Sequence, residues 1–396
     1  MTTRRWVIGG AAGAAVLAAA GYRAWDRGVF SQGQGPAYEP WGQSLGKASD
    51  GAQQPLHAAI LAASAHNTQP WLFQITDGGF DVLADRSRNL GAFDPFRREM
   101  HISLGCAITN LLISASINGY QINRYVPVAG KFALSPPDVP ALAAQLGFTR
   151  TGETTTRLLL LARAMAHRHT NRGAYIADKP VPSAVLNAIV RPAQQPNVSI
   201  AFITDPGARK EFGSLIVEAT QRIVDDAQMS ADSARWLRAG AKEIDAHRDG
   251  ITLETSGLSP LMVDTAKMLP DMGAASADKY WLAMTRDTQV ATAPAYGVLL
   301  VQDRMDMPQA LSAGQVWQLL HLSATTVKLA AQPMNQPMEC IDRNAMLGRP
   351  DTFLKSVAEF AKLPDWQPAF VFRMGTPMTP VYPSPRRPLG DVIRRA

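Results

Sequence analysis

The run Ala63-Ser64-Ala65-His66-Asn67-Thr68-Gln69-Pro70-Trp71-Leu72-Phe73 constrains this chain more than any other stretch. Small, hydroxyl and amide side chains crowd the positions just before a Pro-Trp anchor and an apolar strand start. Such a turn brings backbone close to a flat, polar-edged ligand. A second stretch, Arg168-His169-Thr170-Asn171-Arg172-Gly173, carries complementary chemistry. Its two guanidinium groups, hydroxyl and amide suit an anionic, hydroxyl-rich partner. Taken singly, both have plainer readings. Ser, Asn and Thr turns before strands are common, and Thr and Asn favour helix caps.

The flanking pattern places both motifs. Leu56, Ile60 and Leu61 give a short helix over 54–65, and the Ser64 turn follows it. Leu72–Ile75 and Phe80–Leu83 flank Asp77-Gly78-Gly79, which predicts a hairpin. Asp94-Pro95 starts a helix carrying Ile102, Cys106, Thr109, Ile113 and Ile117, which stops at Asn118-Gly119. Residues 136–140 read as a Pro-rich linker. A helix over 182–190, a strand over 199–203, a charged helical stretch over 208–250, a strand over 294–302, a helix over 310–331 and a strand over 369–375 follow. Residues 251–290 read as irregular, a lid or insertion.

Three further segments are candidates. Pro333-Met334-Asn335-Gln336-Pro337 ends a helix and frees backbone amides to face a ligand, although plain helix termination explains it locally. Arg386-Arg387, bracketed by Pro385 and Pro388, projects two guanidinium groups suited to a phosphate; a solvated tail is the rival reading. Arg394-Arg395 reads as that tail. His169 alone reads as a structural donor, with no metal-ligand spacing around it. No Ser-His-Asp order, paired-carboxylate motif, phosphate-binding Gly loop or dinucleotide fingerprint is visible. Cys106 sits in an apolar helical pattern and Cys340 in a Pro-rich turn. A bridge between them stays open if the protein is exported.

The N-terminus reads as an address. Arg4-Arg5 precedes a run without charges from Trp6 to Tyr22 that is mostly Ala and Gly. That pattern fits an export signal or a weak membrane anchor within residues 1–30 better than a stable span. Residues 31–54, rich in Gly, Gln, Pro and Ser, read as a tether. The net charge is +6, and residues 1–30 hold four Arg against one Asp, so +3 of it belongs to the leader. Nucleic-acid binding is therefore not indicated.

Together these segments resemble the FMN-dependent nitroreductase family, and within it a branch with two nitroreductase-like lobes in one polypeptide, the Acg-like branch. The paired arginines resemble a twin-arginine signal. The Ser-Ser-x-Asn-x-Gln-Pro-Trp run of the family is similar to Ser64, Asn67, Gln69, Pro70 and Trp71, with His66 inside it. The family's Arg-His/Arg-Ser-x-Lys/Arg motif is similar to Arg168, His169, Thr170 and Arg172, with Asn171 at its open position. The loop facing flavin is similar to Pro333, Met334, Asn335 and Gln336, with Asn335-Gln336 replacing Glu-Gly. The C-terminal phosphate cations are similar to Arg386 and Arg387. The resemblance implies an α+β fold of two fused lobes, each an antiparallel-type sheet with flanking helices. One lobe covers 55–135 and the other 150–396, with a lid insertion over about 225–290. It implies one FMN per chain, NAD(P)H and a small-molecule nitro or quinone acceptor as partners, no protein acid or base in the chemistry, and no metal. The N-terminal pattern points to an exported or envelope protein, with membrane attachment through residues 6–22, and the internal duplication to a monomer. The alternative is an FMN-sequestering protein with a closed lid.

Overall fold

The computed structural model describes residues 18–154, 156–270 and 273–394; most of the export-signal pattern lies outside the described residues. The hairpin forms as the sequence predicts. Strands β1 (Trp71–Thr76) and β2 (Gly79–Ala84) pair through a two-residue Asp77-Gly78 turn, with Thr76 opposite Gly79. Strand β3 (Tyr120–Pro127) follows, then β4 (Ala141–Arg150), which inserts between β2 and β3. The first lobe therefore runs to residue 150, not 135. Ala144 and Leu146 supply the reason: two apart on one face of β4, opposite Val82 and Phe80 of β2, they close the core there, with Ala143 at an irregularity in the pairing. The C-terminus also joins this sheet: β11 (Ile393–Arg394) pairs in parallel with β1, so Arg394 belongs to an edge strand and is not a free tail.

The second sheet is antiparallel, in the order β5 (Val198–Ile203), β8 (Ala295–Val301), β10 (Gln367–Gly375) and β9 (Ala330–Pro333). Strand β9 was expected to be helix. Lys328, at φ 59°, breaks the helix before it, and the small Ala330 and Ala331 then pair with β10. The α+β, two-lobed architecture with mostly antiparallel sheets expected from the sequence is the one observed.

Each lobe contributes one central helix, α2 (Arg98–Ile117) and α7 (Met307–Thr326), after α1 (Gln54–Ala59) in the first lobe. The two cross in intimate contact at Gly105 and Gly314. A Cβ on Gly314 would collide with the backbone of Ile102, and one on Gly105 with the carbonyl of Leu311. Only glycine allows backbones this close. Helix α2 is long and apolar enough to cross a membrane, but it is buried within the fold.

The insertion is ordered. After α3 (Pro206–Asp225) come α4 (Ala227–Ala234), a two-residue ladder of β6 (Leu237–Arg238) with β7 (Ile251–Thr252), α5 (Pro260–Met268) and α6 (Ala274–Met284). Residues expected to be irregular are thus largely helical. The 31–54 segment is not a loose tether either. Ala37, Tyr38 and Trp41 are buried in the main core, the Trp41 Nε1–H donates to the Ser384 carbonyl at 2.8 Å, and Arg386 N–H donates to the Ala37 carbonyl at 2.7 Å.

Candidate functional site

The Ser64 turn is bent as tightly as its composition suggests. His66, Asn67 and Gln69 all take positive φ, at 47°, 56° and 51°. Such strain persists only where surrounding contacts enforce it. Ser64 Oγ accepts the Gln69 N–H at 3.1 Å, and Ser103 Oγ, on α2, accepts the Ala65 N–H at 3.1 Å. Asn67 Nδ2 donates to the carbonyls of Gly250 and Pro385, each at 3.0 Å. Gln69 Nε2 donates to the Arg248 carbonyl at 2.8 Å, and its Oε1 accepts the Arg387 N–H at 2.8 Å. Asn67 and Gln69, expected to meet a ligand, instead staple the turn to the insertion and the C-terminal segment.

The turn borders a cavity of about 470 Å³ with largely apolar walls. Ala63, Ser64, Ala65 and His66 form one edge, Ile102, Ser103 and Cys106 of α2 another, and Phe93, Trp317 and Phe370 supply aromatic surface. More than half of the lining comes from the insertion, including Ser233, Ile251, Ala266, Leu269, Tyr280 and Trp281. His66 bridges to that roof through Nε2 and Ser233 Oγ, 3.0 Å apart, and meets Phe93 edge-on. Burial, reinforced by Arg172, lowers its pKa to about 4, so its ring is neutral at pH 7.

A small polar annex shares Ser64, Thr170 and Arg172 with this cavity and is closed by Arg168, His169, Ser384 and Arg386. Three guanidinium groups converge here, and none has a carboxylate partner among the described residues. Arg168 donates to the Leu61 carbonyl at 3.1 Å, and Arg172 to the Thr255 carbonyl at 3.0 Å. Arg386 reaches Asn67 Oδ1, Ser384 Oγ at 2.8 Å and backbone carbonyls, while Trp41 lies under it at 4.6 Å. Desolvation lowers Arg168 and Arg172 to about 10, and lowers Arg386 as well, where Arg168 adds repulsion. Nε of Arg168, Nε of Arg386 and Nδ1 of His169 are buried without a hydrogen-bond partner. Uncompensated buried cations are costly, and an anion in this annex would offset that cost.

On the far wall, Pro333, Asn335 and Gln336 line the cavity, but Met334 is fully buried in the second lobe's core. The Asn335 side chain is occupied: Nδ2 donates to Glu99 Oε1, and Oδ1 accepts the Val371 N–H at 3.1 Å. Asn171 is likewise structural, accepting the Gly173 N–H at 2.9 Å and donating to the Thr379 carbonyl at 2.8 Å. Arg387 turns away from the annex. It donates to the Gln69 and Asp391 carbonyls and lies 3.7 Å from Asp85. The structure thus brings together Ser64, His66, Arg168, His169, Thr170, Arg172, Pro333, Asn335, Gln336 and Arg386. It withdraws the side chains of Gln69, Asn171, Met334 and Arg387, while Asn67 borders the annex with its side chain already bonded to Gly250, Pro385 and Arg386.

Sequence reasoning missed Glu99 and Glu339, which line the cavity beside Asn335. Glu339 lies in the first turn of the helix α8 (Gln336–Met346), where a turn was expected, and Cys340 is buried within it. Cys106 and Cys340 are both free thiols. Glu99, Glu339, Asp94 and Asp342 face Arg98 and Arg304, and Arg98 Nε donates to Asp342 at 2.9 Å. Desolvation pushes Glu99 up to about 8 and Glu339 well above the carboxylate range, so both hold protons near neutrality. Nothing in the local sequence around residue 99 marks it: Arg98 and Asp94 are neighbours, but Asn335, Glu339 and Asp342, which complete the cluster, lie more than two hundred positions away.

No family model matches the chain. Two proteins of Mycobacterium tuberculosis, from strains CDC 1551 / Oshkosh and H37Rv, are provisionally named NAD(P)H nitroreductases. Each is 23% identical over 343 residues, covering 85% of this chain and 89% of the relative. Among solved structures, a Desulfitobacterium hafniense nitroreductase with bound FMN is 12% identical, at a TM-score of 0.37, over 60% of this chain and 98% of its own. A Mycobacterium smegmatis FMN-dependent nitroreductase in complex with NADPH is 17% identical, at a TM-score of 0.37, over 60% and 98%. The sequence likeness over most of the chain thus supports the nitroreductase family that the motifs indicate.

Proposed function

We propose that this chain is an FMN-binding, nitroreductase-like oxidoreductase that takes reducing equivalents from NAD(P)H and passes them to nitro, quinone or similar acceptors. The observation that carries the reading is the annex of Arg168, Arg172 and Arg386, two buried guanidinium groups and one half-buried, with no carboxylate partner among the described residues, opening onto an aromatic-walled cavity. The residues fit the cofactor. Arg168 and Arg386, with the unpartnered Nδ1 of His169, would hold the phosphate. Ser64 and Thr170 lie at the throat, where ribityl hydroxyls need partners. Phe93, Trp317 and Phe370 offer flat surfaces to the rings. When bound, FMN supplies hydride exchange between a nicotinamide and an acceptor. The cations near the cavity favour negative charge on whatever ring occupies it. In this reading the protein is exported, with residues 1–30 as its address, and works as a monomer because its two lobes already supply both halves of the site.

One observation favours a second reading. The insertion supplies most of the cavity wall and His66 ties it to the turn, an arrangement that suits retention of FMN without turnover. Anaerobic mixing of the FMN-loaded chain with NADPH and with NADH separates the two. Rapid bleaching of the oxidised-flavin absorbance supports the oxidoreductase. A flavin that stays yellow with both donors yet bleaches with dithionite overturns it in favour of sequestration. A chain that does not quench FMN fluorescence at all overturns both.

A further inference from the structure

Six exposed large apolar side chains lie on two segments that are bonded to each other. Tyr22, Trp25 (66% exposed) and Phe30 (85%) lie on the segment leading out of the N-terminal run. Leu261 (76%), Met262 and Leu269 lie on and just after α5, in the insertion. Direct bonds join the two segments. Arg23 Nε donates to the Met268 carbonyl at 2.9 Å and its second nitrogen reaches the Leu269 carbonyl. Lys267 Nζ donates to the Gly28 carbonyl at 2.8 Å, and Gln32 binds Asp264.

The inner face of α5 is satisfied. Val263 is fully buried, and Lys267 is buried against Glu254 at 2.6 Å. Its outer face carries Leu261 and Met262 beside Thr265, whose hydroxyl donates to the Leu261 carbonyl at 2.8 Å. Lys242 stands over the Tyr22 and Trp25 rings, at 5.9 and 5.6 Å. Aromatic rings beside Lys and Arg, flanking an apolar patch, are the composition of a lipid–water interface. Continuity points the same way: the uncharged sequence from Trp6 ends at Tyr22, itself a member of the patch. Leu269 also lines the cavity, so the patch borders its mouth.

We propose that this face docks on a lipid bilayer, with α5 lying at the headgroup level and the cavity mouth beside Leu269 opening at the membrane. The inference is independent of FMN. It assigns a lipid surface to the insertion and not only to the leader, and it implies that apolar molecules dissolved in the bilayer reach the cavity from that side.

The test uses the full chain. Met262→Cys carries an environment-sensitive NBD label, and Lys355→Cys, on the exposed side of helix α9 (Phe353–Ala361), carries the same label as a distant control. The native Cys106 and Cys340 are buried and free, with raised pKa, so labelling is selective. With vesicles of phosphatidylcholine and phosphatidylglycerol, the label at 262 should brighten several-fold and shift to the blue, while that at 355 stays unchanged. Co-sedimentation without a change at 262 overturns the proposal, since the leader alone would then hold the chain. Failure to co-sediment overturns it too. Brightening at 262 without vesicles, growing with protein concentration, would assign the face to a second copy and overturn it as well.

Discussion

Two buried charge clusters flank one cavity, and they solve the same problem in opposite ways. The cationic annex holds Arg168, Arg172 and Arg386 without a carboxylate partner among the described residues. The acidic cluster sets Asp94, Glu99, Glu339 and Asp342 against Arg98 and Arg304. Four carboxyls against two guanidinium groups leave an excess of two negative charges, and protons on Glu99 and Glu339 remove it. A carboxyl can neutralise itself at ordinary pH, whereas a guanidinium cannot. The acidic cluster therefore needs nothing from outside, and the annex needs an anion. A cavity between them is polarised, positive at one end and proton-rich at the other.

The comparison breaks most visibly when the annex loses its charge. Arg168→Ala with Arg386→Ala should lower FMN affinity at least ~100-fold, because each charge-assisted hydrogen bond to a phosphate contributes about 1.5–3 kcal/mol. The rise in Tm that wild type shows with FMN should disappear along with it. Fluorescence quenching titrations and melting curves read both, and an unchanged affinity would remove the annex from the site.

Next in size is the scaffold that sets the spacing of the two clusters. Gly314→Ala forces a methyl group into the backbone of Ile102, one turn from Glu99. Overpacking of this kind costs roughly 1–3 kcal/mol. Urea unfolding should show the loss, and FMN affinity should fall with it, because a shift of α7 moves His321, which lies 3.5 Å from Arg168. Wild-type stability in this variant would mean that the helices part without cost and that the crossing does not set the geometry.

The acidic cluster has its own signature in pH. Glu99 titrates near 8 when folded and near 4.5 when unfolded, so its protonated form favours the fold. That stabilisation is complete below about pH 4.5, declines as pH rises and is gone above about 8. Glu99→Gln keeps the acceptor for Asn335 and cannot ionise. Urea midpoints between pH 5 and 8.5 should therefore slope downward less steeply than in wild type. A slope equal to that of wild type would assign the excess proton elsewhere.

How much of this was legible follows from where each signal lives. The hairpin at Asp77-Gly78, helix α2 and its stop at Asn118-Gly119 are local and were readable from turn chemistry and period. The Ser64 turn and the Arg168 motif were readable as composition, and both reach the cavity. Helix α8 was hidden by Pro337, which reads as a terminator but sits in the first turn of a helix, where its missing N–H is harmless. Strand β4 and the Trp41 strap were hidden because their partners are distant. Trp41 needs Ser384 and Arg386 to explain its burial, and no local pattern announces that contact. For the same reason Glu99 and Glu339 stood unmarked.

The finest version of the comparison lies between two neighbours, Arg386 and Arg387, which the sequence presents as an equivalent pair. Arg386 is buried in the annex with an unpartnered Nε. Arg387 already faces Asp85 and two backbone carbonyls on the outer side of the Ser64 turn. Its role is to hold the turn, not the ligand. Arg387→Ala should leave FMN affinity within about twofold of wild type and reduce stability by about 1 kcal/mol, the scale of a partly exposed ion pair with its hydrogen bonds. Arg386→Ala should do the reverse in proportion, with the larger loss in FMN affinity. Equal losses of affinity in the two variants would mean that the phosphate site extends around Pro385 and that adjacency in sequence, and not burial, governs which cation an anion meets.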